Sequence, residues 1–460
     1  MTKLVKAGGL TKYAPGSLKE LISISLPMII TALSGNLMLF LDRIILGHYS
    51  LDAMNAIAAA GTAVFTFAFG AFGIASISEV FVGQANGAKK YQDIGAPVWQ
   101  MIWFSGFAGI LFTIITFFFA DNILAKPFHA EGLGYFKILM YTAFLIPLHG
   151  ALAGFFVGRG KVYLVTTAVV IGNAVNLILD IVLVFGIDDW IPSMGAAGAG
   201  IATAIGEFIQ VIIIFSVFLA PKYKNSFKTW QYKFNKGIFK DCLRIGTPSS
   251  ISHTLELTAW YVIFIFMGWV STDYVTVLQI GQTVFIFLAF FVDGLQRGVM
   301  ALCSNAIGEQ KYGKIGEVFK KAIQFHLVVS AVFAIFLIFM PNLLIQGFLS
   351  DTVMSVTSKI IIKEIEMAFI WVWVYLVLDG LIWIIAGILT AAGDTKFVML
   401  ISAAGAWLFA VLPVYIFIVI FKREAHIVWQ LTAFYGFMNL IFFYLRYRSG
   451  KWKEIKIIST

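Results

Sequence analysis

The chain is short of the residues that staple, cut and charge a soluble domain. Its 460 residues include two cysteines, Cys242 and Cys303, too few for a disulfide framework and with no zinc-type spacing. Six histidines are scattered, none of them four apart as a helical metal pair requires, and no Ser/His cluster stands out. These absences argue against a membrane enzyme. No selectivity-loop signal suggests an ion channel. Charge is scarce as well: Asp, Glu, Lys and Arg make up 12% of the chain, where a soluble domain carries about a quarter. No cleavable signal peptide is expected, because Lys3, Lys6, Lys12 and Lys19 lead into an apolar stretch too long for an h-region.

What fills the chain is hydrocarbon. Hydrophobic residues make up 60% and mean hydropathy is +0.90. Apolar runs recur along the whole length, which predicts an all-α membrane protein with twelve transmembrane helices. The spans read as 19–47, 52–84, 94–120, 132–157, 162–187, 195–220, 238–270, 274–308, 314–347, 358–391, 396–421 and 425–446. Of the 33 Lys and Arg residues, 25 fall on the side of the two termini, six on the other side, and Arg43 and Arg297 within spans. The positive-inside rule then places both termini in the cytoplasm. The net charge of +9 is thus a topology signal and a contact for anionic membrane lipid, with no nucleic acid implied.

The first half repeats in the second. At an offset of 221, Lys19 maps to Lys240, Pro27 to Pro248, Ser50 to Ser271, Gly73 to Gly294, Gly87 to Gly308 and Tyr91 to Tyr312. Later the offset becomes 233, taking Gly154 to Gly387, Gly160 to Gly393 and Gly172 to Gly405. Each half holds six spans, an even number, so the halves are parallel repeats about an axis along the membrane normal. The expected organisation is a six-helix lobe at 1–220, a basic cytoplasmic linker at 221–237 and a second lobe at 238–460. Two such bundles facing each other suit alternating access, with Pro27 and Pro248 as kinks or hinges.

Seven carboxylates lie inside these spans: Asp42, Glu79, Asp180, Glu207, Glu256, Asp293 and Asp379. An Asp at the bilayer centre costs about 2.5–3.5 kcal/mol on insertion scales, so a retained one marks a polar cavity, a partner or an ion. The repeat does not duplicate them; Asp42 maps to Ile263 and Asp180 to Pro413. Asn176 and Asp180 are four apart on one helix face, as are Thr203 and Glu207. Carboxylate, amide and hydroxyl oxygens are hard ligands for a small cation, and close carboxylates alternatively share a proton. In the second lobe Trp260 lies four residues from Glu256, and Tyr375 and Trp383 each four from Asp379. An acid among aromatic rings seats a lipophilic cation through charge and cation–π attraction. Asp293 and Arg297, four apart, are expected to neutralise each other, and Glu79 to reach water or Lys89. Glu207 is left between a site and a structural role. Arg43 points away from Asp42 and snorkels outward. His253, three residues from Glu256, reads as a hydrogen-bonded core residue.

Five segments in this order resemble the multidrug and toxic compound extrusion (MATE) transporters: FLDRIILGHYS, VGQANGAKK, GNAVNLILDIVLVFG, GAAGAGIATAIGEF and GILTAAGDTKF. The resemblance spans nearly the whole chain. It implies a V-shaped two-lobe exporter, expected as a monomer in the inner or plasma membrane, with no cofactor beyond a transported H⁺ or Na⁺. The cargo it implies is a small amphipathic organic cation. By the same resemblance Asp42, Asn176, Asp180 and Thr203 match the first-lobe cation or proton site, and Asp42, Asn176 and Asp180 would hold the metal if the ion is Na⁺. Glu256 and Asp379 match the second-lobe acids of NorM-type members. A lipid-linked-sugar flippase is the alternative; its anionic pyrophosphate would need cavity arginines, and only Arg43 and Arg297 lie within spans.

Overall fold

The computed structural model describes residues 10–124, 126–187, 190–348 and 359–457. Lys3 and Lys6 of the charge count, and position 358 at the start of the tenth span, lie outside them. Among the described residues twelve helical stretches are long and apolar enough to cross a membrane: α1 (Leu18–Tyr49), α2 (Asp52–Gly87), α3 (Tyr91–Ile123), α4 (Lys126–Val157), α5 (Val162–Phe185), α6 (Gly195–Phe218), α7 (Lys236–Val270), α8 (Thr272–Gly308), α9 (Tyr312–Phe339), α10 (Lys359–Ala391), α11 (Thr395–Ile420) and α12 (Ile427–Ser449). They agree with the sequence spans to within a few residues, except at the start of α4, which begins at Lys126 with a short 3-10 turn, six residues before the expected 132, and at the end of α9. There Met340 leaves the helix at φ −130° and a separate short helix, Pro341–Phe348, begins. A residue before proline is pushed out of the α region, and proline itself suits a first helical turn.

The repeat appears in the local chemistry of the helix ends. Ser50 ends α1 and caps the next helix by accepting from the Ala53 amide; its counterpart Ser271 ends α7 and accepts from Tyr274. After α2, Lys89 takes a left-handed φ of 60° and the Lys90 amide donates to the Ala85 carbonyl at 2.9 Å. After α8, Gln310 takes 59° and Lys311 donates to Ala306 at 2.9 Å. The Gly160 and Gly393 turns match in the same way, with φ of 67° and 86°. Pro27 and Pro248 both lie inside unbroken helices.

The two lobes meet backbone to backbone near the end of the bundle that carries the termini. A methyl on Gly87 would sit 2.0 Å from the Asn305 carbonyl oxygen, and one on Gly308 would sit 2.0 Å from that of Gln84. Higher up, Gly294 abuts the backbone of Ile29 and Gly73 that of Ser250, and these two pairs are also repeat equivalents. Three amide side chains, Gln84, Asn86 and Asn305, bond across the seam. Gln84 Nε2 on α2 donates to the Ala391 carbonyl closing α10, at 2.8 Å. Asn305 Nδ2 on α8 donates to the Gly158 carbonyl just past α4, at 2.7 Å. Gln84 maps to Asn305 at offset 221 and Gly158 to Ala391 at offset 233, so one bond is the two-fold image of the other. Asn86 adds a further bond to Asn305 Oδ1 at 2.7 Å.

This seam tolerates no added volume. Gly87→Ala and Gly308→Ala should each lower stability by about 1–3 kcal/mol, the usual cost of overpacking. Gly35→Ala, whose methyl meets nothing within 4 Å, should leave thermal unfolding in detergent unchanged or slightly improved. Equal melting temperatures for all three variants would contradict the close lobe contact.

Candidate functional site

The first-lobe cluster is built where α5 and α6 touch. Gly172 and Gly206 face each other so closely that a methyl on either would lie within 3 Å of the other's carbonyl. That approach brings Asn176 Nδ2 to 3.4 Å from Thr203 Oγ1. Asp180, one turn along α5, interacts with Asn176 and with Asp42 from α1. Asp42 is 4% exposed, Asp180 0%, Asn176 1% and Thr203 3%. Asp42 Oδ1, Asn176 Oδ1 and both Asp180 oxygens have no hydrogen-bond partner. A buried oxygen without a partner costs about 1–3 kcal/mol, more when charged, so the cluster holds more acceptors than its neighbours satisfy. Tyr135 of α4, 4% exposed, lies within the field of Asp42, Asp180 and Glu207. Sequence reasoning passed over it, since a tyrosine near a helix start carries no spacing signal.

Two separate groups of hydrogen bonds lie along the α1/α5/α6 contact between this cluster and the proline of α1. Gln210 donates to Asn173 at 3.1 Å and Asn173 to Ser34 at 2.8 Å. Further along, the Thr166 and Thr31 hydroxyls are 3.0 Å apart, and each donates to the Pro27 carbonyl at 2.9 Å.

The second-lobe residues line two adjoining cavities, one among α7, α8 and α10 and one that α2 of the first lobe closes against α7, α8, α10, α11 and α12. Trp383 Nε1 donates to Asp379 Oδ1 at 3.1 Å. The Tyr435 hydroxyl, absent from the sequence candidates, donates to Glu256 Oε1 at 3.5 Å. Tyr375 stacks obliquely on Phe285 and Tyr435 at centroid distances of 4.9 and 6.2 Å, and its ring lies 6.5 Å from Trp260. Glu256, Asp379, Trp260, Tyr375 and Trp383 therefore share one wall. His253 faces the same cavities beside Asp293 rather than the core.

One expected pairing is corrected. Arg297 reaches across the lobes to Glu79 of α2, at 3.6 Å, and no ion pair joins Asp293 to Arg297 among the described residues. Nor does Glu79 reach water or Lys89: it is 0% exposed. Helical spacing puts Asp293 and Arg297 on one face and all three groups border one cavity, but Asp293 is exposed there while Glu79 is fully buried and needs the cation. His149, with Nε2 unpartnered, sits within the field of Arg297.

The MatE family model matches residues 27–182 and 248–416, one block per lobe. The chain belongs to the MATE family. Among curated proteins, this MATE transporter is 22% identical to "Probable multidrug resistance protein NorM" of Thermotoga maritima, over 96% of this chain and 94% of that one. It is 22% identical to "Probable multidrug resistance protein YoeA" of Bacillus subtilis, over 78% and 77%. A Neisseria meningitidis protein named NorM matches at 26% over 58% of this chain and 60% of its own length. Among solved structures, the outward-facing conformation of a multidrug resistance MATE family transporter of the MOP superfamily superposes with a TM-score of 0.85, at 18% identity over 96% and 97%. A MOP superfamily transporter from Pyrococcus furiosus superposes with a TM-score of 0.86, at 20% identity over 98% and 100%. The V-shaped two-lobe, all-helical architecture is that of these neighbours.

The Glu79–Arg297 pair generates a stability test. Arg297→Gln leaves a carboxylate buried and unpaired, which should cost about 3–5 kcal/mol. The double variant Glu79→Gln/Arg297→Gln should cost less than the sum of the two single variants. Strictly additive melting-temperature losses would contradict the pairing.

Proposed function

We propose that this MATE transporter is a secondary active multidrug efflux antiporter, exporting small amphipathic organic cations in exchange for inward H⁺ or Na⁺ by alternating access. The observation that carries the reading is the first-lobe cluster, in which four buried oxygens of Asp42, Asn176 and Asp180 have no protein donor within hydrogen-bond distance among the described residues. Such oxygens are satisfied either by protons on the carboxyls or by a hard cation, with Asp42, Asn176, Asp180 and Thr203 as ligands. In this reading the second-lobe wall meets the cargo: Glu256 and Asp379 supply charge and Trp260, Tyr375 and Trp383 supply ring faces.

Coupling then follows from linkage. An ion at Asp42 and Asp180 alters the contact of α1 with α5, and the Asn173–Ser34 and Thr166–Pro27 bonds carry that change toward the Pro27 bend. If the ion changes cargo affinity, cargo changes ion affinity by the same factor. With both termini in the cytoplasm of an inner or plasma membrane, the closed seam is the cytoplasmic gate and the cleft opens outward. The flippase reading is disfavoured by the cavity itself. It holds Glu79, Glu256, Asp293 and Asp379 against the single guanidinium of Arg297, which Glu79 already occupies.

In proteoliposomes with a pH gradient and a Na⁺ gradient imposed separately, one of the two should drive ethidium efflux, and Asp42→Asn should abolish the driven component while the variant keeps its melting temperature. Undiminished gradient-driven efflux by Asp42→Asn would remove this residue from the mechanism.

A further inference from the structure

The terminus-bearing end of the first lobe holds a groove of about 680 Å³ that no transport step uses. Three stretches of chain converge on it: the segment before α1, the turn between α4 and α5, and the start of the linker after α6. Lys12, Lys161 and Lys222 line it, together with Tyr13, Tyr163 and Tyr223. Behind Tyr223 lies Arg159, its guanidinium 3.8 Å from the Phe227 ring, 4.6 Å from Phe155 and 4.9 Å from Tyr223. Arg159 Nη1 is buried without a partner.

Lys12 and Lys222 lie over the Tyr13 and Tyr223 rings, but no acid faces these four cations among the described residues. None forms an ion pair among the described residues, and no carboxylate lines the groove. The sequence keeps acids away from all three stretches: none precedes Glu20, none lies between Glu131 and Asp180, and none between Glu207 and Asp241. The groove is also shaped rather than flat. Leu10 seals it over the Gly160 turn, where an added methyl would sit 2.7 Å from Leu10 Cγ.

A stripe of exposed apolar side chains starts at this groove and runs along one face of α5. Tyr163 is 66% exposed, Val170 44%, Ile171 43%, Ile178 62% and Ile181 52%, at helical spacing. A soluble anion has no use for such a stripe, whereas an acyl chain lies along it. We propose that this is a binding site for an anionic phospholipid, with the phosphate held by Lys12, Lys161 and Lys222 and one acyl chain on the α5 stripe. Ammonium groups hold a phosphate as point charges, the tyrosines suit the headgroup level, and the cluster belongs to the side on which anionic lipid attracts basic segments.

The test is thermal unfolding of the full-length protein in neutral detergent with phosphatidylglycerol or phosphatidylcholine added. Phosphatidylglycerol should raise the wild-type melting temperature more than phosphatidylcholine does. The variant Lys12→Gln/Lys161→Gln/Lys222→Gln should lose that excess. The charge-matched control Lys89→Gln/Lys90→Gln/Lys320→Gln, from the same end of the molecule, should keep it. Equal loss in both variants would reduce the effect to a general surface field and overturn the site. The same shift from inorganic phosphate alone would overturn the lipid assignment. Native mass spectrometry of the wild type gives a readout that depends on no variant: phosphatidylglycerol should stay bound at voltages that strip phosphatidylcholine, and indiscriminate loss of both contradicts the proposal.

Discussion

The lobes meet along a close backbone seam that side-chain amides cross. Gln84 and Asn305 each donate to a carbonyl of the opposite lobe, at 2.8 and 2.7 Å, related by the internal two-fold of the chain. A hydrogen bond is weak, with a net worth of about 1 kcal/mol, and directional enough to fix one register. Glycines at Gly87, Gly308 and Gly294 let the backbones come close enough for those amides to reach. With the lobes pinned along this seam, the second-lobe residues are left around open cavities and the acids keep a polar environment within the membrane.

The acids divide by environment. Glu79 is buried at the seam and takes Arg297 from the other lobe. Asp293 faces the cavities, as do Glu256 and Asp379, and the last two are hydrogen-bonded by Tyr435 and Trp383. Asp42 and Asp180 are enclosed, side by side, with oxygens unsatisfied. A low-dielectric site with unpaired acceptors is costly unless something arrives to pair them. Glu79 also lacks a hydrogen bond but has the Arg297 charge beside it; Asp42 and Asp180 have no cation paired with them among the described residues, which is why the first-lobe cluster carries the functional reading.

Much of this was legible in the residues. Hydropathy gave the twelve spans because only continuous helix satisfies a backbone in lipid. The offset of 221 revealed the two-fold, since glycines, prolines and cap residues answer to local geometry that both lobes share. Four-residue spacing grouped Asn176 with Asp180, and Tyr375 and Trp383 with Asp379. The same rule misled at Asp293 and Arg297, because a shared helix face does not prevent a residue of another lobe from supplying a more deeply buried partner. The amide seam stayed hidden: Gln and Asn differ in type, and their acceptors are backbone carbonyls that carry no sequence signature. Tyr135 and Tyr435 stayed hidden because an isolated tyrosine in an apolar helix reads as packing until its neighbours are known.

The central claim is that this seam opens and closes in response to ion and cargo. It is tested most directly by the distance between spin labels at Lys90 and Lys311, exposed two-fold equivalents that flank the seam, after Cys242 and Cys303 are replaced. In nanodiscs the account predicts a short distance matching the closed seam and a longer one, with their populations shifting in opposite directions on adding the coupling ion and on adding ethidium. A single short distance under every condition would contradict it.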